Sequence, residues 1–236
     1  MHNLPISPNR LLASLLPADL ELLRPHLKPC ELKQEAILLR SGQPVERVYF
    51  PHSGIISLVV ELPEGLAIEV AMIGRDSIHG ATAAMDGQVS LNTAIVQLPG
   101  TCETLEVAHF RKAADQSPPL RTVLLRHEQG LLAQAQQSAA CNVSHHVDAR
   151  LSRWLLRARD LSGRDRMEFT QEFLAEMLGV RRSSVSPVAG VLQKAGLINY
   201  ARGHIEIIDV EGLQKASCDC YRTVKAHYDR LLNNRP

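Results

Sequence analysis

The chain has 236 residues, 45% hydrophobic and 22% charged, enough apolar sequence to bury a core and so to exclude wholesale disorder. No apolar run approaches the ~18 residues that span a bilayer. Met1-His2-Asn3-Leu4-Pro5 lacks the basic start and apolar stretch of a secretory leader, so a cytoplasmic location is expected. Cys30, Cys102, Cys141, Cys218 and Cys220 are odd in number and dispersed, which argues against a disulfide framework. Cys218-x-Cys220 is the one close pair. Two ligands do not complete a tetrahedral site, so no metal is expected.

The formal net charge of +1 hides an asymmetry. Residues 1–115 hold 9 Lys and Arg against 13 Asp and Glu, a net of −4, while residues 116–236 hold 17 against 12, a net of +5. A basic surplus in one half, here mostly arginine, points toward a polyanionic partner.

In chain order, residues 11–27 read as a short leucine-rich helical stretch broken by Pro17 and Pro25. Short β-rich runs follow at Ala36–Leu39, Val48–Phe50, Ile55–Leu62, Ala67–Ile73, Thr93–Leu98 and Cys102–Val107, with glycines between them. That spacing predicts a compact all-β roll or barrel. After Pro118-Pro119 the pattern becomes helical. Leu120, Leu124, Leu131, Ala135 and Ala139 fall near one face of a helix from Leu120 to Val143. This face is read as a seam for a second copy or as packing on the chain's own β domain. A second helix carries Val147, Leu151, Trp154, Leu155, Ala158 and Leu161 inward, with Arg150, Arg153, Arg157 and Arg159 on its other face.

Thr170 is positioned to N-cap a helix that Gly179 ends, and another follows within a few residues. Ala175, Gly179, Val185 and Val188 match the four demanding positions of two helices crossing at a tight turn. Two short strands around Arg202-Gly203 then read as a β-hairpin wing. Helix-turn-helix, wing and arginine surplus together point to duplex DNA. Arg181, Arg182, Ser183, Ser184 and Ser186 lie on the second helix, whose first residues reach base edges in such motifs. Arg182 is expected to fork onto a guanine. Arg181 and Arg202 are expected on phosphates, with serine hydroxyls assisting. Pro187 is expected to force a late helix start, with Ser184 as N-cap.

These residues resemble the Crp/Fnr family of bacterial regulators. The resemblance covers roughly residues 30–232. It is most specific in Thr170-Gln171-Glu172-Phe173-Leu174-Ala175-Glu176-Met177-Leu178-Gly179-Val180-Arg181-Arg182-Ser183-Ser184-Val185 and in Leu192-Gln193-Lys194-Ala195-Gly196-Leu197-Ile198. It implies an α+β fold with three parts. Residues 1–117 form a cyclic-nucleotide-binding-like β-roll, 118–145 a dimerisation helix with Leu120, Leu124, Leu131 and Ala135 in the interface, and 146–236 a winged helix-turn-helix. It further implies a homodimer on a palindromic operator, with RNA polymerase as partner, and no enzymatic activity.

The effector pocket is expected at Gly74, Arg75, Asp76, Ser77, Asn92 and Thr93. Asn92 stands where cyclic-AMP-binding members carry the phosphate-neutralising arginine, so cyclic AMP is not expected, whereas haem or another small effector stays open. His79, His145 and His146 read as ordinary surface or helix histidines. The alternative is a ligand-binding module whose helical part contacts protein. No phosphate loop, nucleophile elbow or metal cluster favours an enzyme.

Overall fold

A computed structural model describes residues 7–233 apart from Glu64 and Leu66; the N-terminal pentapeptide lies outside the described residues. The chain opens with helices α1 (Arg10–Ser14) and α2 (Pro17–Leu23), separated by Pro17 as its composition requires. Asn9 caps α1 through its side-chain oxygen, and its amide reaches the carbonyls of Pro51 and Ser77.

Seven antiparallel strands then form two sheets: β1 (Lys28–Leu32), β2 (Ile37–Leu39), β3 (Arg47–Pro51), β4 (Ile55–Glu61), β5 (Ala67–Ile73), β6 (Thr93–Leu98) and β7 (Gly100–Glu106). Their orders are β1-β7-β3 and β2-β6-β4-β5. Leu32, Ile56, Leu58, Ala71, Ile73, Ala94, Val96 and Cys102 fill the space between the sheets. Gly54 and Gly100 allow the backbones at Ser53 and Leu98 to touch, since a Cβ at either would come within 2.6 Å of main-chain oxygen.

Helix α3 (Val107–Gln116) leads into α4 (Pro118–Ser144), 27 residues capped by Ser117 and opened by Pro118 at its first position. At 1.5 Å per residue, α4 is about 40 Å long. Only His145 and His146 separate it from α5 (Val147–Ser162).

The C-terminal part adds β8 (Arg166–Glu168), α6 (Gln171–Leu178), α7 (Arg182–Lys194), β9 (Ile198–Ala201), β10 (His204–Ile207), α8 (Val210–Ala216) and α9 (Cys220–Asn233). Its sheet, ordered β8-β10-β9, has one strand more than the expected hairpin. The core of this part runs into the roll. Trp154, Phe169, Leu174, Leu178, Val185 and Ile205 share one buried cluster with Ile55, Val59, Met72 and Leu98.

The basic face expected on α5 is largely interior. Arg150 and Arg157 are buried. Arg150 donates to the Leu178 carbonyl, while Arg157 forks onto Asp76 at 2.7 and 3.3 Å. Burial works against the Arg157 charge, yet Asp76 and then Tyr228 hold its pKa above the ordinary value. Part of the arginine surplus is therefore spent inside the fold, on the Asp76 carboxylate and the Leu178 carbonyl, and is not presented to a partner.

Candidate nucleic-acid interface and effector cavity

The helix-turn-helix is built as the spacing predicts. Thr170 accepts the Phe173 N–H through its hydroxyl and caps α6. Gly179 ends that helix at φ +60°, in the left-handed region that glycine enters at little cost. Ala175 and Val185 are buried where α6 meets α7, and Val188 is half-buried.

The start of α7 differs from expectation. It begins at Arg182 with Arg181 as N-cap residue, so Pro187 lies inside the helix and not in its first turn. The Ser183 carbonyl, four residues before the proline, loses its helical donor. Ser183 and Pro187 are both solvent-exposed, so water takes the freed carbonyl and the early start is tolerated.

Arg181, Arg182, Ser183 and Ser186 are exposed, and Ser184 is half-buried. Arg182 pairs with Glu172 at 3.2 Å, and the Ser186 hydroxyl donates to Gln171. Both partners lie on the first turn of α6. The outward side chains of α7 are thus held in place by exposed, weak contacts that a competing acceptor replaces at small cost.

The wing is a two-residue hairpin with Ala201 opposite His204. Arg202 and Gly203 both have positive φ, +50° and +79°, the signature of a type I′ turn. The tip lies over a cleft of about 480 Å³ whose opposite wall includes Gln34, Glu35 and Gln97 of the roll.

A second, larger cavity of about 510 Å³ opens inside the roll. Its wall is mostly apolar, including Leu58, Val70, Ile73 and Ile78, and α4 closes it with Glu128, Leu131, Leu132 and Ala135. Asn92 lines it as expected. Gly74, Arg75, Asp76, Ser77 and Thr93 do not. Gly74 abuts Leu161, Asp76 is committed to Arg157, and the Ser77 hydroxyl bonds His127 Nε2 at 2.6 Å. Thr93 is buried and accepts the Ser41 N–H. Arg75 lines a separate polar cleft with Arg10, Arg159 and Lys225.

The segment that lines this cavity therefore begins a few residues after the expected stretch, at Ile78-His79-Gly80-Ala81-Thr82. His79 is a buried wall residue and not a surface one. Burial pushes its pKa down to about 4, and its Nε2 has no hydrogen-bond partner among the described residues. Neither Lys nor Arg is among the residues lining this cavity.

The long helix also departs from expectation. Leu120 and Leu124 are fully buried in one cluster with Val107, Phe110 and Ala81 of their own chain and have no surface left to give a partner. Leu131 packs on the roll core. The apolar residues left outward on α4 are Leu125, Leu132 and Val143, at 52%, 59% and 90% exposure, with Ala139 exposed between them. Pure spacing could not separate these faces, because 120, 124 and 131 keep helical periodicity as well as 125, 132 and 139 do.

The matches to known proteins follow the same two-part division. Residues 29–117 match the model of the cyclic nucleotide-binding domain, and residues 149–216 match that of the Crp-like helix-turn-helix domain. The chain is 24% identical over 183 residues to the global nitrogen regulator of Synechococcus elongatus, covering 74% of this chain and 82% of that protein. It is 26% identical over 189 residues to the transcriptional regulator LdrP of Thermus thermophilus, covering 78% and 93%. The structure of FixK2 from Bradyrhizobium japonicum superposes with a TM-score of 0.70 at 16% identity, covering 81% of this chain and 98% of that one, and so shares the fold. No helix among the described residues is long and apolar enough to cross a membrane. With a cyclic-nucleotide-binding-like roll, a long connecting helix and a Crp-like helix-turn-helix joined in this order, the chain belongs to the Crp/Fnr family of transcription regulators.

Proposed function

We propose that the protein is a cytoplasmic homodimer that binds a palindromic operator through α7 and answers to an uncharged or weakly polar effector held in the roll. The observation that carries the reading is the outward row Arg181, Arg182, Ser183 and Ser186 on a helix whose opposite side, Val185, Ala189 and Leu192, is buried. Arg182 reads a base edge in each half-site, Arg181 and Arg202 take phosphates, and the twofold axis sets half-sites about one helical turn apart. Leu125, Leu132 and Ala139, seven residues apart on α4, supply the seam between copies.

Leu132 and Ala135 stand in the cavity wall as well as beside this seam, so an occupant of the roll presses on the helix that pairs the two chains. The absence of Lys and Arg from the lining residues supports this effector class. A cyclic nucleotide brings a phosphate that needs a charge-assisted donor, and the polar side chains lining the cavity are Thr82, Gln88, Ser90, Asn92, a neutral His79 and the acidic Glu128. RNA polymerase is the further partner that the reading requires.

Selection of bound sites from random duplexes tests it directly. Recovery of a pseudo-palindrome, with affinity falling steeply as salt rises, is the expected result. No enrichment, or binding without salt dependence, would favour a helical part that contacts protein instead. Calorimetry with cyclic AMP should give at most weak heats, and micromolar binding would overturn the assignment of the cavity.

A further inference from the structure

The end of α4 and the turn between α8 and α9 bring four side chains together that lie up to 79 positions apart in the chain. Cys141 lies in the last turn of α4 and His145 is the residue that caps its end, while Cys218-x-Cys220 spans the turn between α8 and α9. The four ligand atoms all lie within 4.8 Å of one another. Cys141 Sγ and Cys218 Sγ are 3.5 Å apart, and Cys220 Sγ and His145 Nδ1 are 3.6 Å apart.

Those distances have a specific meaning. Zinc–sulfur bonds of about 2.3 Å and zinc–nitrogen bonds of about 2.0–2.1 Å at tetrahedral angles put sulfurs about 3.8 Å apart and sulfur about 3.6 Å from nitrogen. Those two separations are already close to edges of that tetrahedron, and no pair among the four ligand atoms exceeds 4.8 Å. A mixed sulfur–nitrogen set of this size suits one borderline-soft ion. Thiolates on the separate irons of an iron–sulfur cluster stand further apart, so the same set is too tight for one.

The surroundings fit as well. Gln137 Nε2 donates to Cys220 Sγ at 3.0 Å, a hydrogen bond of the kind that orients and stabilises a metal-bound thiolate. Cys141, Cys218 and Cys220 are buried, while His145 at the rim is exposed and gives an entry path. No residue of the set belongs to the effector cavity or to the helix-turn-helix.

We propose that Cys141, His145, Cys218 and Cys220 form a closed structural site for a single zinc ion. On binding, the three thiols lose their protons to solvent and the histidine enters neutral through Nδ1, leaving three thiolates and one imidazole on the ion. The site clamps the last turn of α4 to the entry of α9. It also accounts for the buried cysteine pair that sequence spacing alone left without a purpose.

The test uses the full-length protein purified under reducing, oxygen-free conditions. Elemental analysis should find one zinc per chain. After chelation, cobalt titration should produce the intense red-region bands and near-ultraviolet charge transfer of tetrahedral thiolate coordination. Cys218→Ser should lose stoichiometric metal, whereas Cys102→Ser, at a buried cysteine elsewhere, should keep it. Should Cys218→Ser fail to fold, Gln137→Ala serves: it keeps all four ligands and should weaken zinc about 10- to 100-fold against a chromophoric competitor. Metal-free protein that takes up neither zinc nor cobalt overturns the proposal. So does iron accompanied by acid-labile sulfide, or a Gln137→Ala variant with unchanged affinity.

Discussion

The indole N–H of Trp154 donates to the Glu69 carboxylate at 2.7 Å, joining α5 of the DNA-binding part to β5 of the roll. The Ser57 hydroxyl donates to the other oxygen. Burial pushes this carboxyl up to about 7 from its ordinary 4.5, against the opposing pull of the two hydrogen bonds and of Arg153 and Arg157. The folded state thus keeps a proton that the unfolded chain gives up near 4.5. Stability from this group is fully present below about pH 4.5 and is lost as pH rises through 7, about 3 kcal/mol in all at ~1.4 kcal/mol per unit. Glu69→Gln keeps an acceptor for Trp154 and a partner for Ser57. Urea midpoints between about pH 5 and about pH 8 should fall for the wild type and stay flatter for the variant. Equal slopes would mean that Glu69 ionises normally.

Arg157 and Asp76 make the second bridge across the same junction, with side chains 7% and 5% exposed. Tyr228 of α9 covers the guanidinium, its ring centre 4.4 Å away. Removing one partner strands the other charge in the interior, at about 3–5 kcal/mol. Arg157→Leu should therefore lower the melting temperature by about 10 °C. The double variant with Asp76→Leu should recover much of that loss, because no lone charge remains. A double variant as unstable as the single one would show that packing around Arg157, and not its charge, holds the junction.

On α4 two leucines eight positions apart should behave oppositely. Leu124 is wholly buried in its own chain, so Leu124→Ala should cost about 2–5 kcal/mol of stability without altering association. Leu132 is 59% exposed on the proposed seam, so Leu132→Glu should leave the fold intact and give monomers in sedimentation. Dimers that survive Leu132→Glu would assign the seam to another face.

At the wing, Arg202 occupies a left-handed conformation that costs a side-chain-bearing residue roughly 1–2 kcal/mol. Arg202→Gly should therefore raise stability, whereas Arg202→Ala should not. Both should lower the salt slope of DNA binding by about one, as expected for a lost phosphate contact. Arg182→Ala should instead relax preference at one base pair per half-site, costing ~1–3 kcal/mol there. Uniform loss on every sequence for Arg182→Ala would make it a phosphate clamp.

The local devices were legible in the sequence. Gly179, Thr170 and Gly203 act through the backbone next to them, and all three do what their types require, while Arg202 shares the turn against its type. What escaped depends on elements far apart in the chain. Arg150 and Arg157 look like solvated arginines until the end of α6 takes the first, and the loop after β5 and α9 close over the second. The face of α4 is decided by the roll, which takes Leu120 and Leu124 and leaves Leu125 and Leu132. Gly74 to Ser77 carry the look of a ligand loop, yet the ion pair to Arg157 and the packing of Leu161 claim that stretch for the junction. The cysteines follow the same rule, since a spacing of 77 residues between Cys141 and Cys218 carries no signal until the fold supplies it.

Helix α9 does not stay with the winged part. It runs back along α4 to the N-terminal helices, where Leu232 joins Leu11, Leu15 and Leu23 in one cluster and Asp229 faces Arg10 at 3.6 Å. The winged part is consequently held at both of its chain ends, by α4–α5 going out and by α9 returning. A body on two tethers does not swivel freely about His145–His146. It turns about the line joining its two attachments, or it peels one of them away. Those two attachments flank the buried junction at Trp154 and Arg157, so freeing α9 from Leu11 and Arg10 would remove one support of the reading head while touching neither the cavity nor the bases.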